Sequence, residues 1–197
     1  MKNLALEMKT ALVATLVLAV ITCGLYPVAV LAVAQGFFPN KANGSLVPSG
    51  GTTVGSSLLG QPFIEPRYFH PRPSAAGAGY DATASGGSNL GPTSRKLLET
   101  VRDRVAQYRA ENGLTPDATV PADAVTASAS GLDPDISVKN AVLQVARVAK
   151  ARGWEKSAVE NLLREHAQGR TLGLLGEPRV NVLQLNLALD ARGKAGQ

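Results

Sequence analysis

Between Lys9 and Lys41 the chain carries no charged side chain, and Thr10 to Ala34 is almost entirely Ala, Val, Leu and Ile. Wound as a helix, that stretch reaches about 37 Å, more than the roughly 30 Å hydrocarbon core of a bilayer. Twelve of its residues are Leu, Ile or Val, each favouring insertion by about 0.3 to 0.6 kcal/mol near the helix centre, and no charge opposes them. The pattern predicts a membrane-spanning helix over 10–34, with Pro27 disturbing it near Gly24 to Pro27 because proline lacks an N–H and crowds the carbonyl four residues back. From Gln35 to about Pro92 the helical period vanishes and Gly, Ser and Pro accumulate, which predicts strands and long loops. Ser45-Leu46-Val47 and Thr52-Thr53-Val54 flank Gly50-Gly51 as a hairpin. Gln61 to Pro73 holds four prolines with Phe63, Tyr68 and Phe69, a segment that packs by its rings, and Ser74 to Gly91 reads as a small-residue, partly mobile loop.

After Pro92 a period of 3.6 returns. One helix starts at a Ser94 cap, places Leu97, Leu98, Val101, Val105 and Tyr108 on one face, and ends near Gly113. A second runs from a Ser137 cap through Ala141, Val142, Val145, Val148 and Ala149 to Gly153. A third begins at the Ser157–Glu160 capping box, passes Leu162, Leu163 and His166, and stops at Gly169. Val180 to Leu189 fits a helical face through Val182, Leu185 and Leu189. The three amphipathic helices are expected to cover the N-terminal strands. The fold class is α+β: a cytoplasmic N-terminus at 1–9, a transmembrane helix at 10–34, and one mixed soluble domain at 35–197.

Composition narrows the chemistry. The lone cysteine, Cys23, sits inside the apolar run, so the domain after it holds no thiol and neither a disulfide framework nor a cysteine metal site is available. The short flanks carry Lys2 and Lys9 before the apolar run against Lys41 after it, which places the N-terminus in the cytoplasm and the domain outside. A signal peptide cleaved after Ala32-Val33-Ala34 is the alternative; its apolar core is ordinarily about 7 to 15 residues, shorter than this one. Ala11, Thr15, Ala19 and Cys23 recur every fourth residue and offer a small-residue face to another membrane helix. No G-x-x-x-x-G-K-S/T loop and no G-x-S-x-G elbow occurs, and His70 and His166 are too few for a three-histidine zinc site. Asp133-Pro134-Asp135 lacks the glycine and distal glutamate of a calcium loop and reads as a turn before a helix. No catalytic residue, metal ligand or cofactor-binding residue is assigned. Arg67, His70 and Arg72, set among aromatics, are the candidate partner contacts, and the mild positive balance does not call for nucleic acid.

Several strings carry more. Gly60-Gln61-Pro62-Phe63, Tyr68-Phe69-His70 with Arg72-Pro73-Ser74-Ala75, Ala84 to Leu90, Val125 to Asp133, and Gly176 to Asp190 together resemble the C subunit of the bacterial Kdp potassium-transporting ATPase, in order and over essentially the full length. One departure from the family's pattern stands at Pro71, a position that is usually glycine there. The resemblance implies a single-span, non-catalytic accessory subunit of a high-affinity, ATP-driven potassium uptake complex in the inner membrane. Its partners would be a channel-like subunit and a P-type ATPase subunit. The family is also described as a catalytic chaperone that binds ATP and raises the ATP affinity of the hydrolysing subunit. An extracytoplasmic domain lies where ATP is scarce, so a role beside the ion entrance is expected first. ATP binding, with Ser85-Gly86-Gly87-Ser88 as its loop, stands as the alternative.

Overall fold

The computed structural model describes residues 2–195, which divide into two compact units, 2–46 and 47–195. The first is dominated by one continuous apolar helix, α1 (Lys2–Ala19), a π-helical segment (Val20–Leu25) and α2 (Tyr26–Phe37). The disturbance expected at Pro27 takes the form of that π segment: the Tyr26 N–H bonds back to the Ile21 carbonyl, five residues earlier. Widening the turn relieves the crowding that the proline ring would impose on an α-helical carbonyl. Thr10 and Thr22 return their hydroxyl protons to Leu6 and Leu18 carbonyls at 3.0 and 2.8 Å, so neither needs water. A short α3 (Pro39–Ala42) follows, closed by paired amide hydrogen bonds between Gln35 and Asn43.

The second unit is built around α6 (Val138–Arg152), α7 (Lys156–His166) and α8 (Val182–Ala195), with α4 (Arg95–Asn112) against α6 and a single turn, α5 (Ala122–Val125), against α4. Strands β1 (Leu46–Ser49) and β2 (Thr52–Ser56) form the expected hairpin, its turn at Gly50 and Gly51 with φ of +59° and +84°. The helices do not cover it. They pack on a separate antiparallel sheet of order β3-β5-β4, made of β3 (Asp135–Ser137), β5 (Arg179–Asn181) and β4 (Ala167–Gln168), with Ile136 opposite Val180. The reason is apolar content: the hairpin offers Leu46, Val47 and Val54, and Leu46 stays 59% exposed. The core instead joins Phe69, Ile136, Val145, Val148, Val159, Leu162, Val180, Leu185 and Leu189.

Local signals decide two helices well. Ser94 Oγ accepts from the Leu97 N–H and Ser137 Oγ from the Asn140 N–H, and left-handed Gly113 and Gly153 end the same two helices. Leu98 and Val142, assigned to buried faces, are about half exposed at 52% and 50%. The capping box of α7 is not used. Its N-cap is Glu155, no side chain caps it, and Glu160 turns to Lys156 and Arg164 rather than back to the cap. Trp154, packed on the core directly after Gly153, restarts the chain two residues earlier than the serine would. Ser137→Ala should therefore cost about 1 to 2 kcal/mol of stability, whereas Ser157→Ala should stay within about 0.5 kcal/mol; thermal unfolding of the two variants checks the difference.

Candidate functional site

Arg67, His70 and Arg72 fall on one irregular extended segment, and the structure gives each a different intramolecular partner. The segment is anchored by Phe69, which is fully buried. No strand runs beside it, yet its peptide groups are paired. Asn186, from α8, accepts the Phe69 N–H on Oδ1 at 2.8 Å and donates Nδ2 to the Phe69 carbonyl at 3.0 Å. Gln144, from α6, does the same to the next residue, accepting the His70 N–H at 2.7 Å and donating to the His70 carbonyl at 3.1 Å. Two side-chain amides thus stand where neighbouring strands would, on consecutive residues whose peptide groups point to opposite sides.

Arg147, one turn beyond Gln144, closes the arrangement. Its Nη1 donates to the Pro66 and Tyr68 carbonyls at 2.6 and 2.9 Å, its Nη2 to Gln144 Oε1 at 2.7 Å, and its Nε to Asn112 Oδ1 at 3.0 Å. The ladder continues inward: Gln144 Nε2 donates to Asn140 Oδ1, Asn140 Nδ2 donates to Asp123, and the Tyr108 hydroxyl donates to Asn140 Oδ1. Burial holds the Tyr108 phenol far above its ordinary range, with the Asp123 carboxylate adding to the effect.

Arg72 is held by Asp133 at 2.7 Å and its carbonyl accepts from the Tyr80 hydroxyl, whose own pKa burial pushes up to about 12. Arg67 is exposed, pairs with Glu65 at 2.7 Å and lies 4.9 Å over the Tyr68 ring. Arg152 crosses behind it, donating to the Arg67 carbonyl at 2.7 Å and to Asp190 at 2.7 Å, between the Tyr68 and Trp154 rings. The Tyr68 hydroxyl donates to the same Asp190 at 2.8 Å. These groups wall an open cleft of about 800 Å³ that also takes in Arg192.

The residues that organise the segment, Gln144, Arg147 and Asn186, were not among the candidates from sequence. Gln144 sits three residues after Ala141 and four before Val148, on the face the helix turns inward, and a polar side chain there was the available signal. The Ser85-Gly86-Gly87-Ser88 loop packs against its neighbours: the Gly86 N–H and the Ser85 hydroxyl both bond the Ser130 carbonyl, at 2.9 and 3.0 Å. Asp133 and Asp135 serve as partners of Arg72 and Arg179, and in place of the expected turn Asp135 opens β3, paired with Asn181. His166 lies partly exposed with Nδ1 2.9 Å from the Leu162 carbonyl. On the apolar helix, Leu16, Ala19, Val20, Gly24, Leu25 and Val28 border a shallow groove at the π segment. Ala19 belongs to the small-residue face with Ala11 and Thr15; Cys23 falls inside the π segment, where the four-residue spacing no longer holds strictly.

His70 carries the titration of this region. Its Nε2 lies 3.1 Å from the Glu65 carbonyl oxygen and 3.3 Å from the Arg147 guanidinium, with Glu111 3.8 Å from Nδ1. Burial, then the Arg147 charge, lowers its pKa, while the Glu65 carbonyl and Glu111 pull the other way. Because the unfolded chain binds this proton more readily, stability is full above the unfolded value of about 6.5 and falls as pH drops from there through the folded pKa. Unfolding of the wild type and of His70→Gln between pH 8 and pH 5 should show a decline in the first that flattens in the second.

A family model described as "K+-transporting ATPase, c chain" matches residues 8–191. Among curated relatives, the potassium-transporting ATPase KdpC subunit of Nitratidesulfovibrio vulgaris is 58% identical over 93% of this chain and 93% of its own length. Those of Mycobacterium bovis BCG and Rhodopseudomonas palustris are 56% and 50% identical, over 93% and 94% of this chain and 97% and 98% of their own. The matched span takes in most of the apolar helix, the segment from Pro66 to Arg72 and both amides that hold it, and the chain belongs to the KdpC family, the c chain of K+-transporting ATPases.

Proposed function

We propose that this chain is a single-span, non-catalytic accessory subunit of a high-affinity, ATP-driven potassium uptake complex. In this reading its helix docks in the membrane beside a channel-like subunit and an ATP-hydrolysing P-type subunit, supporting their assembly and function. Its soluble domain stands outside the cytoplasm. The observation that carries the reading is the apolar helix Asn3–Phe37, which holds an 18-residue stretch of mean hydropathy 2.5 that is 0% buried within the chain, joined to a domain whose candidate polar residues are engaged in holding that domain together. A helix of this kind needs lipid or protein around it. The groove at Ala19 and Gly24 is where another helix could approach closely, since a Cβ at Gly24 would meet nothing in this chain. Lys2 and Lys9 ahead of the uncharged stretch of the helix, against Lys41 after it, support a cytoplasmic N-terminus.

One observation favours the second reading, in which the domain binds ATP and raises the ATP affinity of the hydrolysing subunit. The cleft beside Tyr68 and Trp154 offers aromatic faces together with Arg67 and Arg192. Arg152, the most buried cation there, is committed to Asp190, and Gly86 to Ser130, so the groups suited to phosphate are engaged elsewhere.

Both parts of the first reading are tested in one strain. Full-length tagged chain, solubilised in mild detergent, should carry both larger subunits through purification, and Gly24→Leu should lower that yield at least fivefold. In intact cells, Glu99→Cys in a Cys23→Ala background should react with a membrane-impermeant maleimide. Purification without partners would overturn the subunit role, and labelling only after permeabilisation would overturn the orientation.

A further inference from the structure

Between β4 and β5 the chain makes a short projection whose apolar tip nothing in this unit covers. Leu172, Leu174 and Leu175 are 87%, 81% and 63% exposed. The projection is a built turn. Thr171 and Leu175 exchange backbone hydrogen bonds of 2.8 and 2.9 Å, and the Gly173 N–H returns to the Arg170 carbonyl at 3.0 Å. Leu172 stands at φ +55°, followed by Gly173 at +74°, a left-handed pair that turns the leucine side chains outward. Leucine in that region is strained, and three leucines held in water are unfavourable as well; covering the tip removes the second cost. At the neck, Arg170 Nη2 lies 2.8 and 2.9 Å from the two Glu177 oxygens, so the only two charges of the projection neutralise each other.

We propose that this tip is a peg that seats in an apolar pocket on the extramembrane surface of another protein subunit of the transport complex. The inference rests on the proposed subunit role and adds to it a named contact. An apolar centre with a polar, self-neutralised rim is the make-up of a protein–protein contact. A bilayer surface asks for something else, free Lys or Arg with Trp or Tyr at the interface, and residues 169–178 contain one already paired arginine and no aromatic. The convex, narrow shape calls for a concave partner, and the hydrogen-bonded turn is already ordered, so little conformational freedom is lost on seating.

The test uses the assembled complex in native membranes. With Leu174→p-benzoylphenylalanine, irradiation should give an adduct of this chain with a second, different protein subunit, at least tenfold stronger than from the same substitution at exposed Glu99. Adducts with lipid alone, adducts between two copies of this chain, or no adduct above the Glu99 control would each overturn the proposal. If the wild-type chain purifies without other subunits, the subunit role itself has failed; if it purifies with them and the adduct is missing, this contact alone has failed.

Discussion

Phe69 and His70 lie in extended backbone at the centre of the second unit, with peptide groups that must be paired because Phe69 has no access to water. A buried N–H or C=O left without a partner costs about 1 to 3 kcal/mol, so a bare segment here would be incompatible with the core around it. Asn186 and Gln144 answer that requirement from opposite helices, each reading one residue with both ends of its amide. Arg147 and Arg152 take the carbonyls of Pro66, Tyr68 and Arg67. The segment thereby becomes the member that joins α6 to α8, and through Asn112 it also holds α4.

That constraint explains where the polar residues of the domain go. Arg72, Asp133, Asp190, Arg152 and Gln144 would look like reactive or ligand-binding groups on the page of a sequence, and each is instead a strut. Pro71 sits between two residues that are both tied down, His70 by Gln144 and Arg72 by Asp133, which suits a rigid residue. Among the apolar surfaces left uncovered are the exposed helix Asn3–Phe37 in one unit and the leucine tip at Leu172 to Leu175 in the other. Surfaces of that kind are completed by lipid or by other chains.

Much of the architecture was legible in the sequence for local reasons. Caps act within one turn, so Ser94, Ser137, Gly113 and Gly153 mark α4 and α6 to the residue. The apolar helix was legible because solvation depends on composition along a single run. The sheet was not, because β3, β4 and β5 are two or three residues long and their pairing joins residues as distant as Ile136 and Val180. The serine of the α7 capping box misled because Trp154, a tertiary anchor, sets where that helix starts. The amide clamp was hidden by the same logic that finds cores. Gln144 and Asn186 are polar residues on inward faces, and a hydrophobic pattern counts them as interruptions. Arg67, His70 and Arg72 were found as a cluster in sequence, yet the irregular segment between Pro66 and Pro73 carries them to different partners, Glu65, Arg147 and Asp133.

If the amide clamp holds the domain together, the Phe69–His70 backbone is part of the cooperative core and not a loop lying on it. Native-state hydrogen exchange of the full chain in detergent, resolved at the Phe69 and His70 amides, decides this. Exchange as slow as that of the Val145 and Val148 amides in α6 is the expected result. Exchange of the two amides at loop rates while α6 stays protected would contradict it.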